Sequence, residues 1–433
     1  MSETTLAELL AAPSVWQAQW PWRTMYAAKI PFESDVVIVG GGISGLSAAL
    51  QALDAGCSVT VLEALRVGAG ATGRNSGFVV PVPSRHTPES LRHLLGDAAQ
   101  RFVHALQQTA CDILTTSSAA SAARGWIQPW ASHPLPDLIA LARGWRALGI
   151  DVEVVEREQM KAALETEHYA AGLCYSAGGS VDPYALAQEM ASAVTQRGGV
   201  ILEDCPVLKI KSYATYVGVI TPRGEVKAGR IFVAGNVYGI EASRITRQAV
   251  SPIALVLATF AMPHAETEPL TGQMPFSDSR KDMWFFRRLE RGRVLTGCFA
   301  LPLVQSVNAC CDLLRERVCK VYQRVPVAIE HQWAGWVGLT HDGMPLVRQA
   351  DERIVSWSGC NGRGIALSIL MGRTLMDCLL GRDGIRLPFK SPNYLYRGGL
   401  FGWLAQTLIA IDRYKQRRTM LSPSPLPKSS EKS

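Results

Sequence analysis

The sequence predicts an α/β fold, α+β overall: a parallel-strand nucleotide-binding domain assembled from separated stretches of chain, joined to a second domain. Three observations predict it. A four-residue β-branched and apolar run, Val36–Val39, leads straight into Gly40-Gly41-Gly42-Ile43-Ser44-Gly45 and then into a helical pattern. A second strand, Ser58–Leu62, ends on Glu63. Strand-to-glycine patterns return much later, at Ile231–Gly235 and at Ile354–Gly364, so the domain is expected to be discontinuous.

The first unit carries the chemistry. Gly40 permits a tight turn out of the strand, Gly42 allows a pyrophosphate to approach the backbone, and Gly45 allows close helix–strand packing. The N–H groups of the first helical turn, including those of Ile43 and Ser44, face the phosphates with the positive end of the helix dipole. Leu46–Ala55 continues the helix and Gly56 ends it. Glu63 stands 18 residues beyond Gly45, where a carboxylate pairs with ribose hydroxyls, and Ala64 follows it. An acid there favours an unphosphorylated adenosine ribose and leaves NAD and FAD both open. The next segment, Val67–Gly77, packs four glycines with Thr72, Arg74, Asn75 and Ser76. A second glycine-rich loop suggests a ligand that continues past the pyrophosphate, which favours FAD.

Here the sequence resembles the FAD-dependent amine and D-amino-acid oxidase superfamily, most of all its gamma-glutamylputrescine oxidase branch. The glycine fingerprint, Glu63 and Gly70-Ala71-Thr72-Gly73-Arg74-Asn75-Ser76-Gly77 carry the resemblance; Thr72 and Ser76 depart mildly from the branch, which has Ser and Gly there. The resemblance implies a Rossmann-like, GR2-type FAD-binding domain with an antiparallel-sheet substrate domain. It makes Thr72, Arg74, Asn75, Ser76 and Gly77 flavin-contact candidates and gives Val207 a backbone contact to the adenine.

Helices are expected at Pro88–Thr109, Leu138–Leu148, Glu156–Leu164 and Tyr184–Arg197, a strand at Val200–Glu203, and a hairpin over Val217–Ile220 and Gly224–Lys227. A second hairpin joins Met283–Arg287 to Val294–Gly297 around Glu290–Arg293. The resemblance places this hairpin over the reactive face of the flavin, with Arg287 and Phe286 as substrate-binding candidates. A guanidinium fork there would suit a carboxylate, although Arg287 and Arg288 must point to opposite faces. Later come Trp333–Trp336, the turn Thr340-His341-Asp342-Gly343 and the strand Ile354–Trp357. They lead to Gly359-Cys360-Asn361-Gly362-Arg363-Gly364 and a helix from Ile365 to Leu380. By resemblance, Asn361, Gly362, Arg363, Gly364 and Ile365 meet the flavin pyrimidine edge, where positive potential favours the anionic reduced flavin. Val337–Leu339 occupy the stretch where sarcosine-oxidase-like relatives carry a flavin-linked cysteine, so the FAD is expected to be non-covalent.

The expected domains are an N-terminal extension (1–34), an FAD-binding domain (35–95, 180–245 and 330–392) and a substrate domain (96–179 and 246–329). A C-terminal helix (393–418) and a disordered tail (419–433) complete the chain. The implied reaction is oxidation of the CH–NH bond of a primary or secondary amine, such as a polyamine derivative or N-substituted amino acid. Hydride passes to flavin N5, the imine hydrolyses to a carbonyl compound and an amine, and electrons pass to O2 or another acceptor. No acid–base residue is assigned, and His341 reads as an exposed turn residue. Two alternatives are a D-amino-acid or 2-hydroxy-acid dehydrogenase of the same superfamily and a non-catalytic flavin-binding subunit.

Composition bounds these readings. With 433 residues, 48% of them apolar and 19% charged, the chain can bury a large core. Its net charge is +7, and residues 411–433 alone supply +4, so the near-neutral body argues against nucleic-acid binding. No CxxC pair marks a zinc or redox site, and no metal is expected. Met1–Ala12 lacks the form of a secretory signal and no apolar run is long enough to cross a bilayer, so a cytoplasmic protein with reduced cysteines is expected. The basic tail follows Tyr394–Ile411, and Tyr396–Tyr414 resembles the ending of gamma-glutamylputrescine oxidases. The apolar part is expected to dock on the body, with Arg413, Lys415, Arg417 and Arg418 at an exposed end. Membrane contact by this helix is the less favoured reading.

Overall fold

A computed structural model of the chain describes residues 4–20, 26, 28–132, 134–238, 250–263, 274–301, 306–382 and 398–421. The expected features at Tyr394–Arg397 and in the tail from residue 422 lie outside them.

The chain opens with α1 (Leu6–Ala11) and then builds the expected unit: β1 (Glu33–Val39), α2 (Ile43–Asp54) and β2 (Val59–Leu62). A short strand β3 (Phe78–Val79) precedes α3 (Pro88–Leu95) and α4 (Ala98–Thr116). The sequence suggested one helix across Pro88–Thr109. Gly96 at φ +55° ends the first and separates the two. Next come β4 (Ala120–Trp130), α5 (Leu135–Arg146), β5 (Val152–Glu156), α6 (Arg157–Leu164) and β6 (Ala171–Val181). Asp182 caps α7 (Pro183–Gln196) by accepting from the Tyr184 and Ala185 amides, with proline at its first position.

β7 (Val200–Leu202), β8 (Lys209–Ser212), β9 (Val217–Thr221) and β10 (Gly224–Val233) follow. β10 merges two stretches that look separate in sequence. Its first half pairs antiparallel with β9, and its second half pairs parallel with β1. Then come β11 (Val250–Ala261), β12 (Phe276–Ser277), β13 (Phe285–Leu289), β14 (Arg293–Phe299) and α8 (Val307–Tyr322). The chain continues with β15 (Ala328–Thr340), β16 (Leu346–Asp351), β17 (Ile354–Ser358), α9 (Gly364–Leu379) and α10 (Gly398–Leu421).

Two sheets result. The first runs β16-β17-β10-β1-β2-β7, with β8 and β9 attached beside β10. Its central pairs, β17/β10, β10/β1, β1/β2 and β2/β7, are parallel. Both faces are covered, which is why Val36, Val37 and Ile38 are fully buried. Helices α2 and α9 press together on one face: a Cβ on Gly372 would sit 2.6 Å from the Ser44 carbonyl oxygen, and the Ser47 hydroxyl donates to the Ile369 carbonyl. The second sheet, β15-β11-β14-β13-β12-β4-β6-β3 with β5 on β6, is mainly antiparallel. This is the expected α/β class with an antiparallel second sheet. β3 and β15 pair in the second sheet, although their sequence positions fall in stretches expected in the cofactor domain.

At the C-terminus, Ala405 and Ile409 of α10 pack on Ile253, Phe299, Leu301 and Leu339. Arg413 corrects the sequence expectation. It is buried, donating to both oxygens of Asp282, which also pairs with Arg317. Sequence placed Arg413 at an exposed end because an acid 131 residues away cannot be matched to it by spacing.

Candidate active site

The carboxyl ends of the parallel strands open into a cavity of about 630 Å³, within the range of roughly 300–1,000 Å³ usual for cofactor sites. Gly40, Gly42, Ile43, Ser44, Glu63, Ala64 and Val207 line one part. Thr72, Arg74, Asn75 and Ser76 line the next, and Gly362, Arg363, Gly364 and Ile365 close it from α9.

The glycines have the local reasons expected of them. Gly40 sits at φ +109°, and a Cβ there would lie 2.9 Å from the Ala234 carbonyl oxygen. A Cβ on Gly45 would lie 2.0 Å from the Gly40 carbonyl oxygen and 3.0 Å from Ile38. Gly42 caps α2 without a side chain, leaving the helix N-terminus facing the cavity. A Cβ on Gly42 would meet the Thr72 hydroxyl at 2.9 Å, and that hydroxyl accepts from the Ile43 amide. The glycine turn, the loop and the helix end therefore form one cradle in which Gly40, Gly42 and Gly45 leave no room for a Cβ.

The Glu63 carboxylate accepts from the Gly41 and Leu65 amides at 2.7 and 2.9 Å. Burial raises its pKa above the usual carboxyl value, and these N–H bonds oppose the shift. The glycine-rich loop is braced by the N-terminal segment, a role that sequence gave no sign of. Ser14 donates to the Gly73 carbonyl, the Trp16 indole to the Asn75 carbonyl and the Gln17 amide to the Ala69 carbonyl. Arg74 completes the brace. Its guanidinium donates to the carbonyls of Leu9, Ala12 and Ala334 and to the Gln17 side chain. Arg74 thus borders the cavity but directs its charge into the brace.

Arg363 precedes α9, donates to the Val82 and Pro83 carbonyls and lies over the Trp126 ring at 4.9 Å. Burial pulls its pKa down to about 10, so it remains cationic at neutral pH beside the helix N-terminus. Asn361 stands behind the cavity. Its side chain accepts from the Thr340 amide and donates to the Gly359 carbonyl, tying the last glycine loop to the turn at Thr340–Gly343. His341 is exposed in that turn.

The substrate candidates are placed differently from expectation. Phe286 faces away from the cavity, fully buried against Phe276 and Tyr322. Its neighbour Phe285 lines the cavity, because alternate residues of β13 face opposite sides. Arg287 is on Phe285's side but does not line the cavity. Its guanidinium donates to the Ser76 and Val181 carbonyls and packs on the Trp16 ring at 4.7 Å. Gly77 sits at φ +79°, and a Cβ there would lie 2.0 Å from this guanidinium and 2.3 Å from the Val181 carbonyl oxygen, so the position requires glycine. Arg287 is a tie between the cofactor loop and β6. Sequence did not find the residues that do form this end: Leu10, Leu255, Met283, Phe285, Phe299 and Trp336, with the Tyr238 hydroxyl accepting from the Trp336 amide. They come from five separate chain segments with no shared motif.

The family model of FAD dependent oxidoreductases matches residues 35–378. The chain belongs to this family. It is accordingly an FAD-dependent enzyme, and the cradle described above fits the cofactor: backbone at the pyrophosphate, a carboxylate for the ribose, a second glycine loop and a cationic helix start. This oxidoreductase is 26% identical over 385 residues to a gamma-glutamylputrescine oxidoreductase of Escherichia coli, covering 84% of this chain and 88% of that one. It is also 26% identical over 369 residues to a probable oxidoreductase, OrdL, of Rhizobium meliloti, covering 81% and 84%. Its fold is similar to that of glycine oxidase from Geobacillus kaustophilus, with a TM-score of 0.66 at 20% identity over 84% of this chain and all of that one. Among the described residues no group of acids, histidines or cysteines could hold a metal ion. None of the ten cysteines is in a disulfide, and no described helix is long and apolar enough to cross a membrane.

Proposed function

We propose that this oxidoreductase oxidises the CH–NH bond of a primary or secondary amine that lacks a carboxylate on the reacting carbon, in the cytoplasm. The single observation that carries the reading is the apolar stretch of the cavity wall formed by Leu255, Met283, Phe285, Phe299 and Trp336. The arginines nearest it are committed to main-chain carbonyls: Arg74 and Arg363 beside the cavity, Arg287 behind it. The amine-directed relative from Escherichia coli supports the same class.

Bound FAD supplies the hydride acceptor. The chain's own residues do the rest. The α2 N-terminus and Gly40–Gly42 hold the pyrophosphate, Glu63 holds the ribose, and Thr72–Ser76 position the remainder. The apolar wall excludes water and lowers the pKa of a bound ammonium, so the amine enters as the neutral base that can be oxidised. Tyr238 offers a hydroxyl at that wall, where it accepts from the Trp336 amide. The imine leaves to hydrolyse in water.

The test is anaerobic mixing of the holoenzyme with separate panels of polyamines, gamma-glutamylated amines, N-methyl amino acids, D-amino acids and 2-hydroxy acids, following loss of flavin absorbance. Bleaching by amines without an adjacent carboxylate supports the reading. Bleaching confined to amino or hydroxy acids would replace it, and flavin that stays oxidised with every compound would favour a non-catalytic subunit.

A further inference from the structure

The last helix presents a surface that the redox chemistry does not use. Helix α10 has two faces. The inner one is pinned firmly: Ala405 and Ile409 pack on Phe299 and Leu339, and Arg413 is buried on Asp282. A Cβ on Gly402 would strike the Ser251 hydroxyl at 2.1 Å, so the helix lies directly on β11. Trp284 donates to Gln416, and Asp412 accepts from the Asp282 amide, so the acid in this stretch turns inward.

The outer face is apolar. Trp403, Leu404, Leu408, Ile411 and Tyr414 are all exposed, Trp403 at 56% and Tyr414 at 63%. At 3.6 residues per turn these five fall within an arc of about 140°. Indole and phenol rings stand near the two ends, with three aliphatic side chains between them. Exposed Lys415 follows, and the sequence adds Arg417 and Arg418 and then Lys428 and Lys432, against Glu431 alone.

We propose that this arc is a docking site for an anionic phospholipid bilayer, with α10 lying in the plane of the interface. Aromatic rings that are apolar in body and polar at the tip suit the headgroup boundary, aliphatic side chains suit the acyl layer beneath it, and a cationic end suits anionic lipid. A stable pair of chains is the poorer fit. Five side chains on one helix fall far below the roughly 20–30 residues per partner of a stable protein interface. Docking would bring the membrane close to the apolar wall of the cavity, because α10 packs on Phe299 and Phe299 lines that cavity.

The test is co-sedimentation of the full-length holoenzyme with vesicles of phosphatidylcholine containing phosphatidylglycerol, beside vesicles of phosphatidylcholine alone. Binding is expected to the anionic vesicles and to weaken at least about tenfold between roughly 0.15 and 1 M salt. Leu408→Ser with Ile411→Ser should abolish sedimentation, and Lys415→Glu should reduce affinity on the order of tenfold. Both should retain parental FAD content, melting temperature and turnover of a soluble amine. A holoenzyme that stays in solution with anionic vesicles would overturn the proposal, as would equal sedimentation of the apolar double variant. So would light scattering that shows a stable dimer dissolved by the same substitutions, which would assign the arc to self-association.

Discussion

Gly45→Ala isolates the cofactor cradle with one methyl group. Gly45 lies inside α2, where replacing glycine by alanine ordinarily stabilises a helix by about 0.5–1 kcal/mol. Here the added Cβ would lie 2.0 Å from the Gly40 carbonyl oxygen, a backbone atom fixed by the turn out of β1. Relief requires the helix start to move away from the turn, and overpacking of this kind costs about 1–3 kcal/mol. The clash outweighs the propensity gain, and a net loss of about 1.3 kcal/mol falls on the contact proposed to align the α2 N–H groups with the pyrophosphate. Expressed as affinity, that is on the order of tenfold weaker FAD binding. Fluorescence titration of apoprotein with FAD measures it, with circular dichroism to establish that the variant is folded. A folded Gly45→Ala protein binding FAD within threefold of the parent would refute the reasoning.

Three further outcomes are expected. Asp282→Ala strands the buried guanidinium groups of Arg317 and Arg413 and should cost about 3–5 kcal/mol in denaturant unfolding, with earlier proteolysis of α10. Arg287→Met leaves the Ser76 and Val181 carbonyls without their donor and should weaken FAD binding while leaving the KM for amines unchanged; a selective rise in KM for carboxylate substrates would return Arg287 to the substrate. His168, stacked on Trp284, has its pKa pulled down to about 4, first by burial and then by Arg280 and Lys320. Its unfolded value is near 6.5, so the unfolded chain takes up the proton first. Stability should therefore fall as pH drops from about 6.5 towards 4, by about 2 kcal/mol after discount for partial exposure. His168→Gln should flatten that slope in melting curves.

The cofactor cradle was legible in sequence because its logic is local. A tight turn, a close phosphate approach and a helix packed on its own strand each demand glycine within six residues, and Glu63 follows at a spacing fixed by one βαβ unit. The proposed substrate end was not legible for the opposite reason. Whether Phe285 or Phe286 faces the cavity depends on the register of β13 against β14, and one residue of slip exchanges them. Arg287 carries the right chemistry for a carboxylate, yet its nearest acceptors are carbonyls 106 and 211 residues away. Ser14, Trp16 and Gln17 look like an ordinary extension until the loop they brace is folded against them. Arg413 shows the same gap, since burial of a tail cation requires an acid supplied by the second domain.

The most direct measurement of the central claim is the flavin stoichiometry of the purified chain after reconstitution with FAD, read before and after acid precipitation. The account predicts a yellow protein with one FAD per chain, released intact into the supernatant because Val337–Leu339 fill the stretch where sarcosine-oxidase-like relatives are expected to carry a flavin-linked cysteine. A colourless chain that takes up no FAD, or flavin that stays with the precipitated protein, would contradict it.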